Sequence, residues 1–163
     1  MSARIGKLLK EYPKLKRERD CLAHQIAHFR GVTAEEVIQS MYTPRMDGER
    51  VQTSGTSDKT AQIALNYQER MEQINREWLE HLEHRLKLLT DELSFFESAL
   101  DSLSGRLPAI MMALVVRQST WDSVQTEYHI GRATLSAYRK QAIAELDELF
   151  AAQDRAEAAY LLE

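Results

Sequence analysis

The chain has 163 residues, of which 28% are charged and only 7% aromatic, with 6 Gly, 3 Pro and a single cysteine, Cys21. Its richness in Leu, Ala, Glu, Arg and Gln is that of a mostly helical protein, and one cysteine excludes an internal disulfide and fits a reducing cytosol. The longest apolar run, Ala109 to Val116, is too short to cross a bilayer, and no signal-peptide pattern follows the basic opening residues Arg4, Lys7 and Lys10, so a cytoplasmic protein without membrane contact is expected.

The net charge of −4 is unevenly spread. Residues 1–30 hold 8 Lys/Arg against 3 Asp/Glu, a net of +5; residues 58–104 hold 5 against 10, a net of −5; residues 105–150 hold 5 against 5. The basic first segment thus has an acidic partner within the chain, and intramolecular pairing is the simpler expectation. A stripe facing a polyanion is the alternative.

The first helix shows apolar residues at Ile5, Leu8, Tyr12, Leu15, Leu22, Ile26 and Phe29, with Arg19 at the missing step. That spacing of three and four is a heptad seam. Pro13 lies inside it and should kink the helix or mark its start. Gly31 is read as the helix stop. Thr33 then caps a short second helix with Glu36 as capping-box partner, and Val37, Ile38 and Met41 form its apolar face. The two helices make up an N-terminal region, 1–42.

Residues 43–57, with Pro44, Gly48 and Gly55, read as a loop. Asp58 is expected to cap a long helix reaching about Ser104, in a coiled-coil segment 58–104. Its seam is Tyr67, Met71, Ile74, Trp78, Leu82, Leu86, Leu89, Leu93, Phe96, Leu100 and Leu103. Such a helix would be ~70 Å long at about 1.5 Å per residue, longer than the first helix can cover. The remainder of the seam, around Trp78 to Phe96, must therefore find the short second helix, the C-terminal module or another copy of the chain, and a homo-oligomer is expected; a monomeric helical hairpin is the alternative. The fold class follows: all-α, a long helical hairpin or coiled coil with a C-terminal helical module.

Gly105 and Pro108 break the long helix and open segment 105–150, followed by a tail, 151–163. Pro108 suits the first turn of a helix whose face is Ile110, Met111, Leu114 and Val115 and which ends at Ser119 and Thr120. Counting Trp121 as step one, a helix-turn-helix needs apolar residues at steps four, eight, ten, fifteen and eighteen. Val124, Tyr128, Ile130, Leu135 and Tyr138 fill all five, and Ala142 and Leu146 continue the inner face. Step five, where Ala is usual, is Gln125. The outer face of the second helix then presents Arg132, Ala133, Thr134, Ser136, Ala137, Arg139 and Lys140, with Gly131 in the cap position and Thr120 capping the first helix. Small residues let a helix approach base edges, and basic ones reach guanine or phosphate, so these positions are the candidate contacts to the major groove of double-stranded DNA.

The run Thr120-Trp121-Asp122-Ser123-Val124, with Ile130-Gly131-Arg132-Ala133-Thr134-Leu135 and then Ala142 and Leu146, resembles sigma-factor region 4. Within that group the chain resembles phage late transcription activators of the RinA/ArpU type. Glu49-Arg50-Val51-Gln52-Thr53-Ser54 is similar to a stretch such proteins carry before their long helix, so the resemblance covers about Glu49 to Leu149. It implies an activator of phage packaging and morphogenesis genes in the bacterial host cytoplasm, with host RNA polymerase as a further partner. It implies base contacts at Arg132, Ala133, Thr134, Ser136 and Ala137. Gly131 departs from the Ser common at that cap.

Other chemistry is thin. His24 and His28, and His81 and His84, could share helix faces and meet at a metal, but no Glu-x-x-His motif accompanies them and no Cys joins either pair. Trp121 and Tyr138 read as core rather than base-stacking aromatics. No phosphate-binding loop, nucleophile elbow or dinucleotide fingerprint occurs, so neither an enzyme nor a cofactor is expected. Two other readings stand beside a transcription regulator: a DNA-packaging protein resembling a terminase small subunit, and a coiled-coil structural adaptor.

Overall fold

A computed structural model describes residues 1–42 and 56–162. The fold is all-α, with no strand among the described residues. The helices are α1 (Ala3–Ala27), α2 (Ala34–Tyr42), α3 (Thr56–Asp101), α4 (Leu107–Met111, continuing as a π-helical turn over Met112–Val116), α5 (Trp121–Tyr128) and α6 (Arg132–Leu162). No helix among them is long and apolar enough to cross a membrane. The stretch 43–55, including the Glu49–Ser54 run, lies outside the described residues.

The sequence signals are obeyed in most places and overridden in a few. Pro13 does not mark a start; α1 runs on both sides of it. The helix ends at Ala27, ahead of Gly31. Asp58 is no cap, because α3 is already helical at Thr56. At its far end α3 stops at Asp101, and Gly105 (φ +58) turns the chain into α4. Beyond the expected boundary at residue 150, α6 continues to Leu162, since nothing from Ala151 to Leu162 breaks a helix.

The chain forms two compact units. The first combines residues 1–21 with 87–163, so segment 105–150 shares a core with the start of α1 and the end of α3. Ile5, Leu8 and Tyr12 of α1, Leu93, Phe96 and Leu100 of α3, Met111 and Val115, and Ala142, Leu146 and Phe150 of α6 are buried together. Burying each of the larger side chains is worth about 1.5–3 kcal/mol, so this cluster dominates the unit's stability. Its rim is polar. Arg4 donates to Glu92 at 2.9 Å and Asp154 at 3.1 Å and lies over the Phe150 ring at 4.8 Å, and the Ser2 N–H donates to Asp147 at 3.0 Å. Intramolecular pairing of the basic first segment with α3 is therefore real at Arg4.

The second unit spans residues 22–86. Here the capping box at Thr33 is complete: the Glu36 N–H donates to Thr33 Oγ1 at 3.3 Å, and the Thr33 N–H donates to Glu36 Oε2 at 2.8 Å. Gly31 has φ +73, and a Cβ there would meet the Asn75 amide at 2.3 Å. Asn75 Oδ1 accepts the Val32 N–H at 2.7 Å, so this glycine lets the backbone approach α3 closely. Val37 is buried and Ile38 half-buried. Leu22 and Leu82 are buried, but Trp78 is 45% exposed and meets Phe29 only edge-on, at 5.3 Å. Burial along the α3 seam thus grows toward its C-terminal end. Leu93 and Phe96 are 0% exposed and share a core with Ala142, Leu146 and Phe150, so the C-terminal module is what covers this part of the seam; Tyr67, Met71 and Ile74 are half-buried and Trp78 is exposed.

Candidate nucleic-acid interface

The five apolar steps from Val124 to Tyr138 fall into one cluster. Val124 and Leu135 are fully buried with Ile110 and Ala113, while Trp121, Tyr128, Ile130 and Tyr138 pack against them half-buried. Tyr138 touches both this cluster and the larger core, so it joins the module to the rest of its unit. α5 and α6 therefore close on each other as a helix-turn-helix requires.

Caps and turn hold the pair in place. Thr120 Oγ1 accepts the Ser123 N–H at 3.2 Å, capping α5. At the other end His129 takes a left-handed conformation (φ 53, ψ 47) and returns its N–H to the Gln125 carbonyl, which also accepts from Ile130 at 3.1 Å. His129 is step nine of the motif, and its conformation was not legible because the residue expected there is Gly. Gly131 begins α6, its carbonyl accepting the Leu135 N–H at 3.0 Å. Its φ is not positive and a Cβ would meet nothing within 4 Å, so no steric need keeps it a glycine. Gln125, at the Ala position, is half-buried, and its Nε2 lacks a hydrogen-bond partner among the described residues.

The second helix sorts its candidate contacts into two groups. Arg132, Ala133, Thr134, Ala137 and Lys140 are exposed, as are Gly131 and Thr120. Ser136 and Arg139, expected on the outer face, are half-buried. Arg139 lines a cleft of about 210 Å³ with Trp121, Gln118, Ser119 and Leu9 of α1. Arg132 lies over the same Trp121 ring at 5.9 Å, so the two arginines flank one aromatic side chain.

The module's five cations divide by duty. Arg106 donates to the Tyr128 carbonyl at 3.0 Å, and Arg117 approaches Glu127 at 3.5 Å and the Tyr128 hydroxyl at 3.4 Å. Both serve the end of α5. Arg139 lines the cleft, which leaves Arg132 and Lys140 as the cations turned to solvent in the first three turns of α6. On the opposite side of α6, Glu145 accepts from the Ser104 hydroxyl and, at 2.9 Å, from its N–H. These bonds, the hydroxyl's first, hold the Glu145 carboxyl below the usual range.

The histidine pairs do not converge on a ligand set. The His24 and His28 rings meet at 4.4 Å, tilted by 48°, and no group of three or more His, Cys, Asp or Glu side chains that could hold a metal occurs among the described residues. No family model, curated protein or solved structure matches the chain.

Proposed function

We propose that this chain is a sequence-specific DNA-binding regulator that lays the first turns of α6 in the major groove, an activator of phage late genes. One observation carries the reading: Val124, Tyr128, Ile130, Leu135 and Tyr138 close on one core while the same second helix turns Arg132, Ala133, Thr134, Ala137 and Lys140 to solvent. An α-helix, with side chains about 10–12 Å across, fits a groove about 12 Å wide. Alanine at 133 and 137 lets the helix backbone come close to base edges, and Arg132, in the first turn, is placed for a guanine. A second copy, assembled through α3, would supply the second half-site, and host RNA polymerase is the partner an activator would engage.

Selection of duplexes from a random library by the full chain tests the reading. A common sequence should emerge, and Ala137→Glu should bind it at least about tenfold more weakly, because a carboxylate would enter the groove of a polyanion. Position 137 is exposed and Glu is only slightly poorer than Ala as a helix former, so the circular dichroism spectrum and melting should hold. No enriched sequence, or a folded Ala137→Glu variant that binds as the parent does, would remove this reading.

A further inference from the structure

Outside the helix-turn-helix, one face of α1 carries Lys7, Lys10, Lys14 and Arg17, spaced by three, four and three residues. That spacing aligns the four cations along one stripe opposite the buried Ile5, Leu8, Tyr12 and Leu15. All four are exposed, and none takes part in an ion pair or hydrogen bond among the described residues. Other cations of α1 are engaged: Arg4 with Glu92 and Asp154, Lys16 over the Tyr12 ring, Arg19 with Asp20. Glu11 and Glu18 lie on a flank of the stripe and are half-buried. The stripe is about 15 Å long at about 1.5 Å per residue.

Its position relative to α6 gives it a partner. Ser2 bonds Asp147, and further along α1 Leu9 shares a cleft with Arg139. The two helices therefore run antiparallel, and continuing that register carries Lys10, Lys14 and Arg17 toward the level of the first turns of α6. Those turns are the ones that the proposed function puts in the groove. The module itself has few free cations with which to neutralise phosphate.

We propose that the α1 stripe is a second DNA-contacting element, in which Lys7, Lys10, Lys14 and Arg17 grip the phosphate backbone beside the site read by α6. This inference rests on the DNA-binding reading above. The stripe reads no bases; it supplies affinity and holds the recognition helix in register.

The test compares the full chain with a variant carrying Lys7→Gln, Lys10→Gln, Lys14→Gln and Arg17→Gln, on the selected duplex and on a scrambled one, by anisotropy over a salt series. Each lost phosphate contact lowers the slope of log affinity against log salt by about 0.9, so with four contacts removed the variant's slope should fall by about 3.6 on both duplexes. The ratio of affinities between the two duplexes should hold, and the matching variant with arginine at all four positions should restore the parent slope. A folded glutamine variant with the parent slope overturns the stripe and leaves the α6 reading standing. Failure of the parent chain to bind either duplex overturns both. Vesicles of phosphatidylserine in phosphatidylcholine form a third arm: a loss of binding there, with the DNA slope unchanged, assigns the stripe to a membrane surface and overturns the proposal.

Discussion

Arg106 closes the end of α5 through Tyr128: its Nη2 donates to the Tyr128 carbonyl at 3.0 Å, and its guanidinium lies over the Tyr128 ring at 5.9 Å. A cation at a helix C-terminus satisfies an orphan carbonyl and opposes the negative end of the dipole. Arg106→Ala should therefore destabilise the module by about 0.5–2 kcal/mol, a drop visible in thermal melting. Because the contact is internal, the salt dependence of DNA binding by the folded variant should match the parent's. A reduced salt slope would show that Arg106 meets phosphate instead.

Helix α5 and the turn that follows it carry two residues at odds with their positions. His129 holds φ 53, a region that costs a non-glycine residue about 1–2 kcal/mol, and Gln125 buries an amide nitrogen without a partner among the described residues. His129→Gly should raise the melting temperature by a few degrees, partly offset by the greater chain entropy of Gly when unfolded. Gln125→Ala should also stabilise, since a buried unsatisfied donor costs about 1–3 kcal/mol. A loss of stability in Gln125→Ala would show that the side chain packs better than its polarity suggests.

Tyr12 ties the start of α1 to the end of α3. Its hydroxyl donates to Glu97, and its ring meets Phe96 at 5.8 Å. Burial first, then the bond to Glu97 and the charge of that carboxylate, pushes the phenol from 10.0 up to about 12, against a smaller opposing pull from Arg19. The folded chain thus holds the phenolic proton more tightly than the unfolded one. The resulting stability is fully present below about pH 10 and is lost as pH rises toward about 12. Urea unfolding of the parent should show a midpoint that falls through that window more steeply than that of Tyr12→Phe. Parallel pH profiles would show that the phenol does not titrate differently in the fold.

These particulars show what a sequence carries and what it conceals. The capping box at Thr33 and the five apolar steps of the helix-turn-helix are local patterns, and local chemistry decides them. The π-helical turn at Met112–Val116 has no residue signature, and the left-handed His129 hides behind a residue that rarely marks such a turn. Arg139 was legible as polar and one turn from Leu135, but it is half-buried and lines a cleft to which Leu9, far away in the chain, also contributes. Tertiary covering of a helix flank cannot be read from that helix's own periodicity.

The same limit governs assembly. Leu93 is fully buried within one chain, so Leu93→Lys should unfold the protein by leaving a charge in its core. Trp78 is the better probe, being 45% exposed on a seam whose neighbours Met71 and Ile74 are half-buried. If a second copy covers this stretch, the parent should sediment above its 18.8 kDa chain mass, and Trp78→Lys should return it to that mass with helicity kept. A parent that stays at the single-chain mass at high concentration would rule self-association out.

The role proposed for α6 admits a test that separates base reading from phosphate contact. Leu135 is fully buried, so Leu135→Asp should unfold the module; an uncompensated buried charge costs several kcal/mol, comparable with the whole stability of a small domain. Arg132 and Lys140 are exposed, so their alanine variants should melt within about 0.5 kcal/mol of the parent. Their binding defects should differ. Arg132 stands in the first turn of α6, braced over Trp121, where a guanidinium can meet a guanine edge. Arg132→Ala should cost about 1–3 kcal/mol on the selected duplex and relax the preference at one base pair. Lys140 lies about two turns further along, and a flexible ammonium there suits phosphate. Lys140→Ala should weaken selected and scrambled duplexes alike and lower the salt slope by about one unit. Titrating both variants on both duplexes at several salt concentrations separates the two defects. If both folded variants bind as the parent does, α6 is not the reading helix.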